Sequence, residues 1–579
     1  MRRFLILLLL LCAPLAPFAA AQETTAYRFP IEEVSRLYAA NFGEMRPGHF
    51  HAGIDIKTDG VEGKRLVAAA DGYISRIVVQ AGGYGRAVYL SLPDGTTIVY
   101  GHMQRFRDDL EAHMQRERYR RRSNSVDLWF DAARYPVVAG ELLGYAGNSG
   151  SSSGPHLHYE IRRGKDQERI NMVREGIIRP KDTLSPRFMK LHYVEIDTLD
   201  CGIVRLRPME SYAVVKSADG GYRLTRQEPL PVGRKGYFVV EVTDRRNEVY
   251  NTFSVWRVTA LVDQKPYFEY RMDRFPYELS RTCDAVSCYA LQLSSRNEVI
   301  RLAQLEGAPE RFYPTLIERG LIRTLPGEQH TIALEIEDDC GNCSTLQFRV
   351  VGREEAFVAA PPTDSLAQPA FREFTSHYRL GATFEATLPA DALYESTYVR
   401  PMAGEVAPVD SGVVVLSPAY RLFEEVRTPL FKPLHITLRA PIPQSLQNKA
   451  MIAVRNWRGK AALAGGSYAD GAVSVSTRTV GDWFIVADTL PPTIEPRFTP
   501  QSNLAASKQL TFKVADNFSG VAKWVLTIDG EWVPCDRYPS RGILVWHIDR
   551  PAAGISHRAV LVVTDGAGNR TEWQGDFRW

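Results

Sequence analysis

Short segments of alternating apolar and polar residues, separated by Gly, Pro, Asp and Asn, run along most of this 579-residue chain. Alternation with a period of two predicts β-strands with one buried face, and the turn residues predict tight connections between them. The pattern predicts strands around Tyr73–Val79, Ala87–Leu92 and Thr97–Tyr100. The PDGT segment at 93–96 predicts a hairpin turn between the last two. These features indicate an antiparallel sheet rather than a βαβ protein.

The C-terminal two thirds of the chain contain a repeated pattern of strands and turns. In each copy one strand ends in Asp, a second ends in a turn Asp, and a last hairpin has the form D-x-x-G-N. These positions are Asp244, Asp263 and Asp338–Asn342 in the first copy, and Asp516, Asp529 and Asp565–Asn569 in the second. Asp, Gly and Asn suit turns that need positive φ. The spacing predicts β-sandwich modules of immunoglobulin-like type, the first with an insertion that holds Cys283 and Cys288.

A chain of this length is expected to divide into several domains. The predicted parts are a signal peptide, a first β-rich domain, a sandwich with an insertion, a linker, a further β-rich module and a last sandwich. Their predicted boundaries are 1–21, 22–190, 191–354, 355–371, 372–488 and 489–579. The linker is recognised by its Pro, Ala and polar residues, and the DTLPPTIEP segment marks the start of the last sandwich.

Charge is balanced along the chain except in one segment. The formal net charge of +3 argues against electrostatic binding of nucleic acid, so no nucleic-acid partner is predicted. Residues 105–130 have helical spacing and a basic run at Arg116–Arg122. Such a run predicts either a solvated helix face or a basic rim for an acidic polymer.

The N-terminus has the three parts of a secretory signal. Arg2 and Arg3 are followed by the apolar run Phe4–Leu11 and by a small-residue cleavage site at Ala19–Ala21. Export to the periplasm, the cell envelope or the extracellular space is therefore expected. Cys12 offers a lipid-attachment site, but the residue before it is not small, so soluble export is favoured. No later stretch is long and apolar enough to predict a transmembrane helix.

Six of the seven cysteines follow the predicted signal. They are Cys201, Cys283, Cys288, Cys340, Cys343 and Cys535. An even number in an exported chain favours disulfides, with a pairing that the sequence does not decide. Cys340 and Cys343 can also form half of a zinc site or a redox motif, but no second CxxC stands nearby. A structural bridge is the favoured interpretation.

Five of the 12 histidines fall in three short elements of the first domain. They are His49, His51, His102, His156 and His158. Residues two apart in a strand face the same side, so His156 and His158 point together, and so do His51 and Asp55 across Gly53. Two histidines on one strand can also simply share a solvated face. Taken together with Asp55, however, the set is large enough for a three-ligand zinc site with one open position.

Three motifs occur in order: H-x-x-x-D at His51–Asp55, Y-G-H at Tyr100–His102, and GNSGSSSGPHLHYE at Gly147–Glu160. The set resembles the lysostaphin-type (LytM-like) zinc metallopeptidases, which cut bacterial cell-wall peptides, over about residues 40 to 165. With its β-rich tail, the chain looks most like large members from Gram-negative bacteria of the Bacteroidetes type. The resemblance implies one Zn²⁺ per catalytic domain, held by His51, Asp55 and His158. It makes His102 and His156 the catalytic histidines without deciding which is the base.

The resemblance also implies peptidoglycan stem peptides and cross-bridges as partners. Arg46 is interpreted as binding a substrate carboxylate or forming a surface salt bridge. Asn148 and Ser149 belong to the loop Gly147–Gly154, which is interpreted as a substrate-binding loop or as a connector. His49 precedes the first motif and is interpreted as structural or groove-lining.

The expected fold is mainly β: an antiparallel-sheet, lysostaphin-like metallopeptidase domain with a short helical insertion, followed by several β-sandwich (immunoglobulin-like) modules. The insertion at 105–130 is expected to line one wall of the groove and change its specificity. The leading hypothesis is an exported zinc endopeptidase that hydrolyses peptidoglycan cross-links. The alternatives are a secreted zinc protease of other proteins, and a non-catalytic surface or scaffold protein whose tail binds a cell-envelope protein or glycan.

Overall fold

The computed structural model describes residues 27–218, 220–499, 501–549 and 554–579. The predicted signal peptide, with Cys12, lies outside these residues. Strands are the main element, which confirms the predicted mainly-β fold. Among the helices in the described ranges, none has the length and apolar character needed to cross a bilayer.

The first domain is built on a large antiparallel sheet and carries one long helix, α1 (Asp108–Arg121). Its strands are β1 (Tyr38–Ala40), β2 (Met45–Arg46), β3 (His49–Phe50), β4 (Ile54–Lys57), β5 (Arg65–Val67), β6 (Gly72–Val79), β7 (Arg86–Ser91), β8 (Thr97–Gly101), β9 (Met103–Phe106), β10 (Val126–Trp129), β11 (Pro136–Val137), β12 (Leu142–Ala146), β13 (His156–Arg163) and β14 (Glu168–Ile170). The main sheet has the order β1-β4-β13-β8-β7-β6-β10, and a smaller sheet has the order β5-β12-β9. Both sheets contribute to one core, which includes Ile56, Leu66 and Leu157.

The local sequence explains these elements. The predicted strands and the hairpin between β7 and β8 are confirmed, with Gly95 at φ 83° in the turn. Helix α1 begins with acidic residues and ends with basic ones, the order that the helix dipole favours. It buries Leu110 and Met114 in the first-domain core. The predicted helical segment is shorter than expected, because alternating burial of Val126 and Leu128 makes its end a strand, β10.

The domain predicted as a sandwich with an insertion follows and is called the first sandwich below; its insertion contains α2 (Cys283–Val286), α3 (Tyr289–Gln292) and a 3-10 helix at Tyr277–Thr282. Thirteen of the domain's strands are linked in a single sheet, so the two-sheet arrangement stays a prediction for this domain. Its strands are β15 (Arg187–Thr198), β16 (Val204–Leu206), β17 (Glu210–Lys216), β18 (Tyr222–Leu224), β19 (Leu230–Val232), β20 (Lys235–Thr243), β21 (Arg257–Val262), β22 (Lys265–Arg271), β23 (Arg274–Phe275), β24 (Glu298–Arg301), β25 (Thr315–Leu316), β26 (Ile322–Arg323), β27 (Gln329–Glu337) and β28 (Cys343–Gly352). Two further 3-10 turns lie at Glu310–Phe312 and Glu318–Gly320. Because β23 pairs with β14, the first two domains share a sheet. The predicted boundary at 190/191 falls inside β15, which begins directly after Pro186.

The next module contains α4 (Gln444–Gln447) and the strands β29 (Gln368–Ala370), β30 (Ser376–Leu380), β31 (Phe384–Leu388), β32 (Thr397–Val399), β33 (Met402–Ala403), β34 (Val413–Val415), β35 (Tyr420–Arg421), β36 (Leu434–Leu438), β37 (Ala450–Arg455), β38 (Ala461–Gly465), β39 (Ser467–Ala469), β40 (Ala472–Thr477) and β41 (Asp482–Asp488). Strand β29 lies within the predicted linker but pairs with β32, so the module begins before residue 372. Earlier linker residues are held by the first sandwich: the Phe357 and Ala359 amides donate to the Glu195 and Asp197 carboxylates.

The last sandwich contains a 3-10 turn at Pro539–Arg541 and the strands β42 (Thr493–Pro496), β43 (Gln509–Ala515), β44 (Val521–Ile528), β45 (Glu531–Val533), β46 (Asp536–Tyr538), β47 (Ile543–His547), β48 (Ser556–Asp565) and β49 (Arg570–Arg578). They form two four-stranded sheets, β42-β43-β47-β46 and β45-β44-β48-β49. Leu510 from one sheet and Leu526 and Leu561 from the other meet in a common core. This is the two-sheet arrangement that the strand spacing predicts.

The last sandwich packs against the first domain through buried charges. Asp536 accepts hydrogen bonds from Arg86 Nη2 and Arg118 Nη2, each at 2.7 Å. The side chains of the two arginines are 3% and 1% exposed. Beside them, the Cys535 amide donates to Asn124 Oδ1 at 2.9 Å. The C-terminal domain therefore closes back onto helix α1 and its surroundings.

This contact changes the interpretation of the basic run at Arg116–Arg122. Arg120 and Arg121 do lie on a solvated helix face, where both pair with Glu117. Arg118 does not, because it is buried against the last sandwich. The sequence could not indicate this, since the carboxylate that neutralises Arg118 is 418 residues away along the chain.

The six cysteines are free thiols in the structure. The predicted disulfide bridges are therefore absent from the described residues. Cys283, Cys288 and Cys535 are buried, and burial raises the pKa of Cys283 and Cys535 well above the ordinary value. Such thiols act as small apolar side chains in a core.

Replacing Asp536 by Ala is expected to lower the free energy of unfolding by about 3–5 kcal/mol, because it leaves buried Arg118 without its carboxylate. The measurement is urea unfolding followed by tryptophan fluorescence. Asp549→Ala is the matched control, since it removes only an exposed hydrogen bond from Tyr119 to the same sandwich. It should cost less than about 1 kcal/mol. Equal effects of the two variants would contradict the importance of the buried pair.

Candidate functional site

Pairing of β13 with β4 brings the predicted metal ligands together. His158 lies directly opposite Asp55 in this pair, and His51 lies in the segment that leads into β4. His51 Nε2, Asp55 Oδ1 and His158 Nδ1 are separated by 3.0, 3.1 and 2.9 Å. All three residues are buried. Ligands of a tetrahedral zinc ion at about 2.0–2.2 Å lie about 3.3–3.5 Å apart, so this set of two imidazoles and one carboxylate fits zinc.

Hydrogen bonds behind the cluster orient both imidazoles. His51 Nδ1 donates to the Asn41 carbonyl oxygen at 2.7 Å, and His158 Nε2 donates to Glu160 Oε1 at 2.8 Å. These partners assign the tautomers and leave His51 Nε2 and His158 Nδ1 to face the cluster. Tyr84 stacks on the His158 ring and donates its hydroxyl hydrogen to Glu160. A metal ligand with a carboxylate behind it is held in one orientation and made more basic.

The charges of the cluster are strongly coupled. Burial alone would raise the pKa of Asp55, but His51 and His158 hold it well below its ordinary value. Burial disfavours a charged His158, yet hydrogen bonds from the His158 ring to the Asp55 and Glu160 carboxylates outweigh it and raise the pKa of His158 to about 9. Arg46 Nη2 lies 2.9 Å from Asp55 Oδ2 and adds a further positive charge. Because metal ligands must be deprotonated, a bound metal ion takes the place of the His158 proton.

His102 and His156 lie beside this cluster, with ring centroids 4.7 Å apart. His102 has a left-handed backbone (φ 58°) between β8 and β9, a strained conformation that is frequent at functional sites. Its Nδ1 donates to the Ser149 carbonyl oxygen, and His156 Nδ1 donates to the Gly154 carbonyl oxygen, each at 2.8 Å. Burial lowers the pKa of both, for His102 to about 3. Both rings are therefore neutral near pH 7, with Nε2 able to accept a proton.

The other predicted site residues have different surroundings. Arg46 and His49 line the cleft above the cluster, and His49 is not part of the cluster. Asn148 and Ser149 are buried and are not among the described residues that line the cleft. Ser149 Oγ accepts the Arg86 amide hydrogen and donates to the Met103 carbonyl oxygen. In this structure Ser149 therefore supports the loop that holds His102.

The cleft has a volume of about 620 Å³. One wall is the β2–β3 hairpin, and a second is formed by Gly83, Tyr84 and Ser151. The third wall comes from the first sandwich, through residues that include Tyr277 and Arg281. The predicted wall at 105–130 is wrong: this segment supplies none of the described lining residues, because it packs against the last sandwich instead.

Sequence reasoning missed Glu160, Tyr84 and the wall from the first sandwich. Glu160 could have been predicted from the sequence, because alternation in a strand places His156, His158 and Glu160 on one face. Tyr84 lies in an ordinary glycine-rich turn, and the third wall depends on contacts between residues far apart in sequence. Neither has a local signal.

An antiparallel β domain with a buried His–Asp–His set and two neutral histidines beside it, of which His102 lines an open cleft, has the composition of a metallohydrolase centre. The "DD-carboxypeptidase/endopeptidase Mpg" of Neisseria meningitidis is 32% identical over 112 residues, 19% of this chain and 20% of that protein. An "uncharacterized metalloprotease" of Haemophilus influenzae is 33% identical over 119 residues, 21% and 19% of the two chains. This chain thus spans about a fifth of the length of these relatives.

Among solved structures, a catalytic-domain mutant of the prophage-encoded M23 protein EnpA from Enterococcus faecalis is 28% identical. The match covers 24% of this chain and 88% of that one, with a TM-score of 0.18. A family model described as a Zu5-like domain matches residues 375–488. The part of the chain that these relatives match is similar to LytM-like (lysostaphin-type) peptidases, in agreement with the resemblance of the three motifs.

Replacing Glu160 by Gln is expected to weaken zinc binding by about 10–100-fold, because the His158 imidazole loses its charged partner while all three ligands remain. Competition with a chromophoric chelator measures the affinity. Glu175→Gln is the control, because that exposed carboxylate pairs with Arg163 and Arg274 away from the cluster. Equal affinities of the two variants would refute the role assigned to Glu160.

Proposed function

We propose that this protein is an exported, zinc-dependent endopeptidase that hydrolyses peptide cross-links of bacterial peptidoglycan. The observation that carries the proposal is the convergence of His51 Nε2, Asp55 Oδ1 and His158 Nδ1 within 3.1 Å beneath an open cleft. Relatives named as an endopeptidase and a metalloprotease support the same chemistry. Export rests on the N-terminal signal pattern described above.

Zinc at this site supplies Lewis-acid polarisation of the scissile carbonyl and lowers the pKa of water towards neutrality. The protein supplies proton transfer and orientation. His102 and His156 are neutral because burial lowers the pKa of each, and both have Nδ1 engaged with a carbonyl oxygen. Each Nε2 can therefore take a proton from the attacking water, and the resulting imidazolium can donate to the developing oxyanion or the leaving amine.

The cleft suits an extended peptide that carries carboxylates. Arg169 and Arg281 line it together with Arg46, and Glu278 is the acidic residue in the lining. Stem peptides of peptidoglycan contain free carboxylates, which guanidinium groups bind through two parallel hydrogen bonds. Because Arg281 belongs to the first sandwich, that domain is proposed to take part in substrate binding and not only in spacing.

The direct test is zinc-dependent release of new amino groups from purified peptidoglycan by the chain from Gln22 onward. His51→Ala removes a metal ligand and is expected to abolish release, a loss of at least about 1,000-fold. His49→Ala is a matched control on the same hairpin, since His49 is exposed and outside the cluster. Because His49 lines the cleft but is not a metal ligand, the variant should keep its zinc and a kcat within about threefold of the wild type, with any further change confined to KM.

The outcomes separate the hypotheses. Release that disappears with a chelator and with His51→Ala, but not with His49→Ala, supports a zinc hydrolase of the cell wall. Stoichiometric zinc binding with cleavage of unfolded protein substrates but not peptidoglycan favours the protease hypothesis. A chain that binds no zinc is not the proposed enzyme. Mass spectrometry of the released muropeptides identifies the bond that is cut.

Arg281→Ala is expected to raise KM for a soluble cross-linked muropeptide by about 5–20-fold with kcat within about twofold, because it removes substrate binding without touching the reacting groups. Steady-state kinetics of peptide release measures both constants. Arg274→Ala serves as the control, since Arg274 lies on the same sandwich but pairs with Glu175 outside the cleft. A fall in kcat alone would contradict a binding role for Arg281.

A further inference from the structure

Each sandwich carries the same group of residues at the end nearest the preceding domain. The group begins with a D-T-L-x-P segment, Asp182–Pro186 before the first sandwich and Asp488–Pro492 before the last. In both copies the first Asp accepts a hydrogen bond from the Leu amide two residues on, from Leu184 at 3.0 Å and from Leu490 at 3.3 Å. The two segments therefore share this hydrogen bond between the Leu amide and the Asp carboxylate.

The D-x-x-G-N hairpins complete the equivalence. Asp338 Oδ1 accepts from the Asn342 amide at 2.9 Å, and Oδ2 accepts from Asn342 Nδ2 at 2.8 Å. Asp565 makes the same two bonds with Asn569, each at 2.8 Å. The residue two positions after each Asn also donates to the last Pro of the D-T-L-x-P segment: Ser344 to Pro186, and Thr571 to Pro492. Two domains of different size thus preserve one local arrangement.

This arrangement gathers three carboxylates in each copy. We call Asp182, Asp244 and Asp338 the first junction cluster, and Asp488, Asp516 and Asp565 the second junction cluster. In each cluster one carboxylate oxygen from every residue lies within 4.8 Å of the others. Each cluster combines the segment before the sandwich, the end of an early strand and the last hairpin. It therefore lies where the sandwich joins the preceding domain.

Each cluster contains carboxylate oxygens that lack the partners that buried charges require. Asp244 is 1% exposed, and neither of its carboxylate oxygens has a hydrogen-bond partner among the described residues. Asp182 Oδ2 and Asp516 Oδ1 are also buried without a hydrogen bond. Buried polar groups are almost always paired, and an unpaired buried carboxylate is costly. These unpaired oxygens belong to the clusters in which the other carboxylates converge.

Protein cations do not neutralise the clusters. Near the first cluster, Arg246 Nη2 forms a salt bridge with Asp339, and Arg246 Nε lies 4.0 Å from Asp182 Oδ2. One guanidinium thus faces four carboxylates. In the second cluster, none of the described residues forms an ion pair with Asp488, Asp516 or Asp565. Burial, together with the charge of Asp338, raises the pKa of Asp244 to about 9.

We propose that each junction cluster binds one Ca²⁺ ion, so that the chain carries two calcium sites distinct from its zinc site. Carboxylate oxygens are the ligands that Ca²⁺ prefers, at about 2.3–2.6 Å, which allows oxygens on opposite sides of the ion to lie about 4.8 Å apart. The zinc cluster is tighter and contains imidazole nitrogens. Mg²⁺ demands a smaller octahedral shell and keeps more of its water, so three carboxylates favour Ca²⁺.

The sites have a structural role at the domain junctions. In the first, Asp182 belongs to the connection from the peptidase domain, and in the second, Asp488 is the last residue of β41 in the Zu5-like module. A bound ion links each connection to the sandwich that follows it. Removing the ion leaves like charges in contact and frees the junction. This inference does not depend on the proposed peptidase activity.

The test is equilibrium dialysis of the zinc-loaded chain against radiolabelled Ca²⁺ at about 1 mM, the range in which extracellular calcium modules bind. Two ions per chain are expected. Asp244→Asn and Asp516→Asn should each lose one ion, and the double variant should lose both. The matched controls are Asp263→Asn and Asp529→Asn. These residues follow β21 and β44, whose first residues pair with or next to the hairpin Asp of the cluster, so each control lies at the end of its strand away from the cluster. Both controls should retain two ions.

A thermal measurement separates loss of binding from loss of folding. Asp244→Asn and Asp516→Asn remove like-charge repulsion, so without Ca²⁺ the variants should unfold at or above the wild-type midpoint. Addition of Ca²⁺ should raise the wild-type midpoint and leave that of the double variant unchanged. No binding at 1 mM Ca²⁺, or equal binding by the double variant and its controls, would overturn the proposal. A stoichiometry of one would overturn the equivalence of the two sites.

Discussion

A buried carboxylate between two buried guanidinium groups holds the last domain of this chain against the first. Asp536 neutralises Arg118, which would otherwise face a protein interface as an unpaired charge, and it shares Arg86 with Glu111. Arg86 also donates its amide hydrogen to Ser149 Oγ, and the Ser149 carbonyl oxygen accepts from His102 Nδ1. A single chain of polar contacts therefore runs from the C-terminal sandwich to a histidine at the cleft. These hydrogen bonds link the last sandwich to the surroundings of His102, although the two are far apart in sequence.

The geometry of the centre follows from strand pairing. Because β13 lies between β4 and β8, one strand supplies His156, His158 and Glu160, while its two neighbours supply Asp55 and the approach to His102. The ligands thus belong to a rigid sheet, and the loops complete the surroundings. Gly85 and Gly150 allow those loops to meet backbone to backbone, since a Cβ on Gly150 would lie 2.3 Å from the Gly85 nitrogen.

Much of this could be predicted from sequence because the relevant signals are local. Alternation identified β6, β7 and β8, and the three ordered motifs identified the residues that converge in the cluster. Contacts between distant residues have no such signal. From sequence alone, Arg118 cannot be distinguished from an exposed helical arginine, because its partner Asp536 is distant in the chain. Tyr277 lines the cleft because pairing of β23 with β14 brings the first sandwich next to the first domain. The count of cysteines suggested disulfides, but packing rather than pairing accounts for the buried thiols.

The closure of the last sandwich on the first domain has a consequence for the order in which the protein matures. Asp536 lies 418 residues after Arg118 in the chain, so Arg118 has no carboxylate partner until the last sandwich has folded against the first domain. The predicted zinc ligands can come together on their own sheet before this contact forms, whereas the loop behind His102 gains its support from Arg86 once the last sandwich is in place. Full support of the proposed hydrolytic centre therefore depends on folding of the last sandwich against the first domain.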